Sequence, residues 1–487
     1  MSLEKPHPLA LFSLVPKNPG AWDVLNHPSN KHLVSVVVDP NDPKKFTQGL
    51  NVGFHSASRS ESRYTLATLG RSGADITVGG AIISRIHCSF EIHEITEAVM
   101  LYDRSTAAST QVFGESATPF EPELTPRRVV VDHKTNLEFG IGGVDCNAVQ
   151  FCIVWHRRDY SIGEKPSIRP DNPWTARTVD ETPTINPTRR VTRIRTTKNK
   201  TKIRYLNRGK IGQGSFGEVV KAMNIDSGEL FAVKQVEWPA LQSHRYISLK
   251  QEVETVSRMS HPNIIKHLST QLCGNKFEIF MELKHGNIQH LIDNDIFIND
   301  FNLAESLLRQ MLQALDYLAY GGIIHRDVKP ENILYKGLPD GSCEFQLADF
   351  GLCTLAANAT EYAGSGVYMA PELESHDGAP QTPKMDIWSL FVIFAYALNV
   401  ARFRYKPLHT LQMRINAVQA AANGGLRCIQ DMAVVNPTLR ASAADMLIKL
   451  FAGEGLTTPH KEVWYDAMVL DTAPATPRMQ QVGPVGC

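Results

Sequence analysis

The sequence predicts a multidomain protein: an all-β sandwich first, then an α+β domain whose strands precede its helices. Three observations predict it. Between about 30 and 157, short runs rich in Val, Ile and aromatic residues alternate with Gly, Ser, Asp and Pro clusters, as in a sandwich. From about 204 onward strand-like runs come first (YLNRGKIG, GEVVKAMN, ELFAVKQVE), and helix-period patterns such as NLAESLLRQMLQALDYLAYGG follow. At 487 residues the chain is long enough for two or three ordinary cores.

The expected strands of the first part are HLVSVVV, RYTLATL, CSFEIHEI, AVMLYD, RRVVVD and VQFCIVW. Ahead of them, MSLEKPHPLALFSLVP has a short apolar run hemmed in by prolines and no small-residue cleavage site, which reads as an early strand rather than a signal peptide. Residues 158–203 lose the pattern and are rich in Thr, Pro, Arg and Lys, a composition that cannot bury enough surface to fold alone; they read as a basic linker. In the second part, SLKQEVETVSRMS reads as a helix, and LFVIFAYALNVA (390–401), too short to span a bilayer, reads as a buried core helix. After about 453 the periodicity fades into a tail.

Lys+Arg and Asp+Glu are 50 each, so global charge points to no nucleic-acid partner, and no segment points to a membrane. Eight cysteines are scattered with no CxxC spacing, which favours reduced thiols and a soluble protein of the nucleus or cytoplasm.

IGQGSFGEVV sets Gly212, Gly214 and Gly217 between two strand-like runs, where glycine lets backbone N–H groups close over phosphates. A GxGxxG alone is shared with dinucleotide-binding turns, but here a strand rather than a helix follows. FAVK then puts Lys234 on a strand, and QEVETVSRMSHPNI offers Glu252 or Glu254 on a helix. GIIHRDVKPENIL supplies His325, Arg326, Asp327, Lys329 and Asn332; LADFG supplies Asp349; MAPE supplies Glu372.

This ordered set resembles the eukaryotic protein-kinase signature over about 204–452. The resemblance implies a bilobal α+β fold, ATP and Mg²⁺ as cofactors, and protein substrates. It implies a nucleotide site of Ile211, Gly212, Gly214, Ser215, Phe216, Gly217, Val219, Lys234, Glu282 and Leu283, with Met281 as gatekeeper and Lys284 closing the hinge. Family spacing selects Glu252 to hold Lys234; Asp327 is the catalytic base, Lys329 neutralises the γ-phosphate, and Asn332 and Asp349 bind Mg²⁺. HRDVKPEN and GSGVYMAPE resemble the serine/threonine rather than the tyrosine pattern. Phe391 stands where the family usually has Gly, and Glu331 occurs in kinases that favour Arg upstream of the phosphoacceptor. Arg326 implies a loop phosphate as partner; family spacing puts that position on Glu361, beside Thr360, while Ser365 aligns with the hydroxyl that contacts Asp327 and Lys329. Either Glu361 stands in for the phosphate or Thr360 is the switch.

TLGRSGADITVGGAIISRIHCSFEI carries Gly70-Arg71 and Ser84-Arg85-x-His87, and so resembles a forkhead-associated domain, with firm motifs at 70–114 within residues 1–157. The resemblance implies phosphothreonine binding by Arg71, Ser84 and Arg85, with Thr106 in register and His87 as a loop buttress. DRSTAASTQVFG departs from the family pattern: Ala107 replaces the Asn that grips the peptide backbone, and Ala108 the Gly. Such a module ahead of a serine/threonine kinase resembles the DNA-damage-checkpoint and meiotic kinases, which bind phosphothreonine proteins and self-associate transiently. No Ser-Gln or Thr-Gln cluster lies in the linker, but Thr192 and Thr196 each follow an Arg by three residues, as autophosphorylation sites would. Two rival readings are a pseudokinase scaffold and a kinase whose sandwich is only structural.

Overall fold

A computed structural model describes residues 5–40, 42–55, 62, 64–156, 202–214, 217–237, 259–350, 354–355, 366–374 and 381–459. The expected helix over 248–260 lies outside the described residues except at its last two positions, and so do nearly all of the linker and the end of the tail. The chain divides into two compact units, residues 1–211 with 220–232, and residues 212–219 with 233–487.

Among the described residues up to 156, eleven strands run in chain order: β1 (Ala10–Pro16), β2 (Val34–Asp39), β3 (Asp42–Gly53), β4 (Thr65–Gly70), β5 (Ile76–Thr77), β6 (Cys88–Ile92), β7 (Val99–Asp103), β8 (Thr110–Phe113), β9 (Arg128–Val131), β10 (Glu138–Ile141) and β11 (Val149–Trp155). They form two sheets, ordered β2-β3-β1-β11-β10-β8 and β5-β4-β6-β7-β9. Phe12 and Phe139 of one sheet meet Phe90 of the other edge-on, with centroids 5.1 and 5.3 Å apart. Such aromatic pairs add about 0.5–1.5 kcal/mol each beyond the area they bury.

The early apolar run becomes the central strand β1, paired with β3 and β11 and buried along its whole length. Its one hydroxyl, Ser13, is satisfied by Asn51 at 2.7 Å and His156 at 2.8 Å. Strands β3, β5, β8 and β10 carry no clear strand signal. β3 opens with Asp, Pro and two Lys, and its first half is exposed; pairing with β2 rather than side-chain burial holds it. β8 and β10 are four residues each, too short for a readable period.

Three further strands, β12 (Tyr205–Gly214), β13 (Gly217–Asn224) and β14 (Leu230–Glu237), each begin in one unit and continue into the other. With β15 (His267–Cys273) and β16 (Lys276–Glu282) they make a sheet ordered β12-β13-β14-β16-β15. The second unit continues with β17 (Gly286–Asn287), β18 (Ile323–Ile324), β19 (Ile333–Gly337) and β20 (Cys343–Leu347), set among helices. Helix Phe301–Tyr320 is amphipathic and starts on an Asp300 cap that accepts the Leu303 N–H. Helix Lys384–Ala397 is apolar on nearly every side and almost wholly buried, including Phe391, so the bulky residue at the family's Gly position is taken into the core. No helix among the described residues is long and apolar enough to cross a membrane.

One buried ion pair fastens this helical core. Arg440 donates to both carboxylate oxygens of Glu372, at 2.7 and 2.8 Å, and to the carbonyls of Lys384, Val434 and Val435. It also stacks over Trp388. Arg440→Ala strands a buried carboxylate and is expected to cost about 3–5 kcal/mol, read as a loss of denaturation midpoint at neutral pH; a cost near zero would contradict the burial argument.

Candidate active site

Strand β12 ends at Gly214 and β13 begins at Gly217, so the glycine-rich turn joins two paired strands. A Cβ at Gly217 would lie 2.1 Å from the Gln235 carbonyl oxygen, so β13 can approach β14 this closely only through glycine. Ile211 is exposed, Gly212 and Val219 are half-buried, and Ser215 and Phe216 lie outside the described residues. Lys234 is buried on β14, with its Nζ 2.8 Å from Asp349 Oδ1. Glu252, expected to hold the same ammonium, lies outside the described residues. At the end of β16, Glu282 accepts from Lys284 at 3.0 Å, with Leu283 half-buried between them.

The loop over 325–332 is built around a carboxylate on a neighbouring helix. Asp386, fully buried, accepts the backbone N–H of His325 at 2.8 Å and of Arg326 at 2.9 Å. This grip holds Arg326 at a φ of +67°, a left-handed conformation that a non-glycine residue adopts at a cost. Asp327 then projects beside Lys329, whose Nζ is 2.7 Å from its Oδ2, and beside Asn332, whose amide donates to its carbonyl at 2.8 Å and its Oδ2 at 2.9 Å. Asn332 thus spends its nitrogen on Asp327, and its amide oxygen is what it can offer a cation. The Ala348 N–H donates to the Asn332 carbonyl at 2.8 Å and sets Asp349, at φ +61°, next to it. A carboxylate and an amide oxygen suit a hard cation such as Mg²⁺.

Burial drives the electrostatics. It pushes the Asp349 carboxyl up, but Lys234, by charge and hydrogen bond, together with His325 and Lys329, holds it below its ordinary value. Burial brings His325 down to about 4, against the pull of Asp327, Asp349 and the Ala348 carbonyl. A neutral ring fits its bonds, with Nδ1 accepting the Asp327 N–H and Nε2 donating to Ala348 O. Asp386 rises to about 7 through burial, opposed by the two N–H groups and Arg326. The two shifts act oppositely on stability: the His325 contribution is complete above 6.5 and lost as pH falls through about 4, and that of Asp386 is complete below 3.8 and lost as pH rises through about 7.

In the first unit, three loops meet at one end of the sandwich. The Arg71 N–H donates to the Ser84 carbonyl at 3.0 Å and the Ser72 N–H to the Arg85 carbonyl at 3.3 Å, so Arg71, Ser84 and Arg85 are drawn together. Gly70 permits this, since a Cβ there would meet Arg85 O at 2.1 Å. Buried His87 accepts the Ser84 N–H and donates to the Ser109 carbonyl, tying in the loop that carries exposed Thr106. Ala108, at the family's Gly position, keeps a left-handed φ of +51°.

A family model described as protein kinase domain matches residues 205–452, about half of the chain. The chain belongs to the protein kinase family. Its kinase domain is of the serine/threonine type, which uses ATP and Mg²⁺. Serine/threonine-protein kinase SSK22 of Saccharomyces cerevisiae is 29% identical over 284 residues, which cover 50% of this chain and 21% of that protein. MAP kinase kinase kinase mkh1 of Schizosaccharomyces pombe is 34% identical over 195 residues, 37% of this chain and 17% of that protein. MAP kinase kinase kinase win1 of the same yeast is 29% identical over 247 residues, 44% and 17% respectively. This kinase chain spans about a fifth of the length of these relatives.

The geometry brings Lys234 to Asp349, and Asp327 to Lys329 and Asn332. Thr360, Glu361 and Ser365 lie outside the described residues, so the loop partner expected for Arg326 does too. The grip of Asp386 on the loop over 325–332 has one signal in the sequence, an Asp opening an otherwise apolar helix.

Asp386→Asn turns one acceptor into a donor facing a backbone N–H, a mismatch of about 1–3 kcal/mol. The kinase is then expected to lose roughly 5- to 150-fold in kcat by steady-state assay; an unchanged kcat would show that the loop needs no such clamp. Ala108→Gly relieves a left-handed alanine and is expected to stabilise the sandwich by about 1 kcal/mol in urea denaturation; a loss of stability would contradict the strain.

Proposed function

We propose that the whole chain is an ATP-dependent serine/threonine kinase directed by its N-terminal sandwich, which reads phosphothreonine on partner proteins. The observation that carries the catalytic half is the cluster of Asp327, Lys329, Asn332, Asp349 and Lys234. Lys234 holds the α- and β-phosphates of ATP through its ammonium, which Asp349 already orients. Asn332 and Asp349 would hold Mg²⁺, which would supply charge neutralisation for the transfer. The substrate hydroxyl oxygen bonds to the γ-phosphorus, the bond to the bridging β–γ oxygen breaks, ADP leaves, and the hydroxyl proton passes to Asp327. Lys329 meets the charge on the transferred group. This complete set argues against a pseudokinase scaffold.

The reading half rests on Arg71, Ser84 and Arg85 converging at one sandwich end, with Thr106 on the adjoining loop. An Arg and a hydroxyl at a loop junction are suited to a phosphate dianion. With Ala107 in place of the backbone-gripping Asn, recognition concentrates on the phosphate rather than on the peptide chain. Exposed Glu331, directly after Lys329 and Pro330, favours substrates with Arg upstream of the phosphoacceptor. A checkpoint or meiotic role rests on the pairing of the two modules and on the resemblance it carries. The kinases named above favour a rival role, phosphorylation of a MAP kinase kinase, and an in vitro substrate panel containing such kinases separates the two. Work in the nucleus or cytoplasm fits the free thiols among the described cysteines.

In the full-length protein, Asp327→Ala is expected to lower transfer to protein Ser and Thr by about 10²–10⁴-fold, with autophosphosites lost by mass spectrometry; retained transfer would sink the catalytic assignment. Arg71→Ala combined with Ser84→Ala is expected to abolish capture of a phosphothreonine peptide library while activity on a short peptide persists. Capture that survives both changes would leave the sandwich structural.

A further inference from the structure

The first unit holds more than a sandwich. It includes residues 204–211 and 220–232, the outer ends of the three strands that go on to carry the glycine-rich turn and Lys234. These segments are fastened to the sandwich at the edge strand β9, which has a sheet neighbour, β7, on one side only. On its other side the Val130 N–H donates to the Ile225 carbonyl at 2.8 Å. Arg128 Nε donates to the Asp226 carbonyl at 3.0 Å while its Nη1 donates to the Tyr102 hydroxyl at 2.9 Å. Thr96 Oγ1 donates to the Gly228 carbonyl at 2.8 Å.

Side chains follow the backbone. Ile225 is 3% exposed and belongs to the sandwich core, with Leu206 packed against it. Met223 packs on Met100 and Val130, both fully buried. Arg208 of β12 pairs with Asp132 at 2.7 Å, and Arg204 donates to the Pro119 carbonyl at 2.6 Å. The fit is close at the β13–β14 turn, where a Cβ on Gly228 would lie 2.9 Å from Met100 Sδ.

We infer that the sandwich is a permanent brace for the strands that carry the nucleotide-binding turn, with Val130, Arg128, Met100 and Ile225 as positioning residues for ATP. A strand pair anchored at its outer end and continuous with the glycine-rich turn at its inner end has less freedom to splay. Less ordering is then left for the moment of ATP binding, so loosening the anchor raises KM for ATP more than it lowers kcat. This holds whether or not the sandwich reads phosphothreonine.

The test uses the full chain with a specific protease site inserted near residue 180, within the segment that reads as a linker. After cleavage the two pieces are expected to elute together in size-exclusion chromatography, with KM for ATP unchanged. Ile225→Asp, which places a carboxylate in the sandwich core, is expected to let the cleaved pieces part. In the uncut chain it is expected to raise KM for ATP several-fold with kcat nearly constant. Asp132→Arg is expected to raise KM more mildly, and Arg208→Asp added to it to restore the value, which a general loss of folding would not do. Separation of the cleaved wild-type pieces would overturn the brace, and so would an ATP KM indifferent to both Ile225→Asp and Asp132→Arg.

Discussion

Asp386 is fully buried at the head of an apolar helix, and each of its oxygens receives a backbone N–H from the loop that carries Asp327. Much of the second unit depends on this contact. Helix Lys384–Ala397 has no polar face to turn to solvent, so it is stable only as the centre of a core. A carboxylate carried into that core is costly unless it is hydrogen-bonded. The catalytic loop supplies the donors, and in exchange it is held in a left-handed turn at Arg326 that it would not adopt alone. The same bond that satisfies the core therefore shapes the active site. His325 completes the arrangement from the other side, since its neutral ring bridges the Asp327 N–H and the Ala348 carbonyl and so couples the loop to the strand end bearing Asp349.

A second constraint works at a distance along the chain. Asp349 is tied to Lys234, and Glu372 is tied to Arg440, each by an ion pair. The two pairs differ in kind. Lys234 is buried, whereas Asp349 stays partly open to solvent. Arg440 and Glu372 are sealed, with every donor of the guanidinium group committed to Glu372 or to carbonyls nearby.

The cluster of two lysines, two carboxylates and an amide was legible in the sequence because phosphoryl transfer restricts residue types. Gly217 was legible for a related reason, since the Gln235 carbonyl leaves no room for a Cβ. Asp386 was not, because a lone Asp before apolar residues reads as a helix start, and only tertiary structure shows which N–H groups it meets. Strand β3 was hidden because its first half is held by backbone pairing with exposed Lys and Phe side chains, and hydrophobic period is blind to that. At the sandwich end, motif spacing singles out Arg71 and Ser84, and the structure joins their backbones. That Ala108 keeps a glycine-like backbone could not be read from spacing: the sequence shows the substitution, and only the structure shows that the turn survived it.

The edge of the second sandwich sheet ties these levels together. An edge strand exposes a row of backbone donors and acceptors, a liability that proteins cover or blunt. Here β9 is covered by residues 225–228, which belong in sequence to the kinase domain. The family match begins at 205, yet Leu206, Met223 and Ile225 bury their side chains against sandwich residues rather than within the kinase sheet. A boundary drawn by family resemblance therefore cuts through a packed interface. Two sequence modules that read as separable share one core at their junction, and the strands that leave that core go on to carry Gly217 and Lys234.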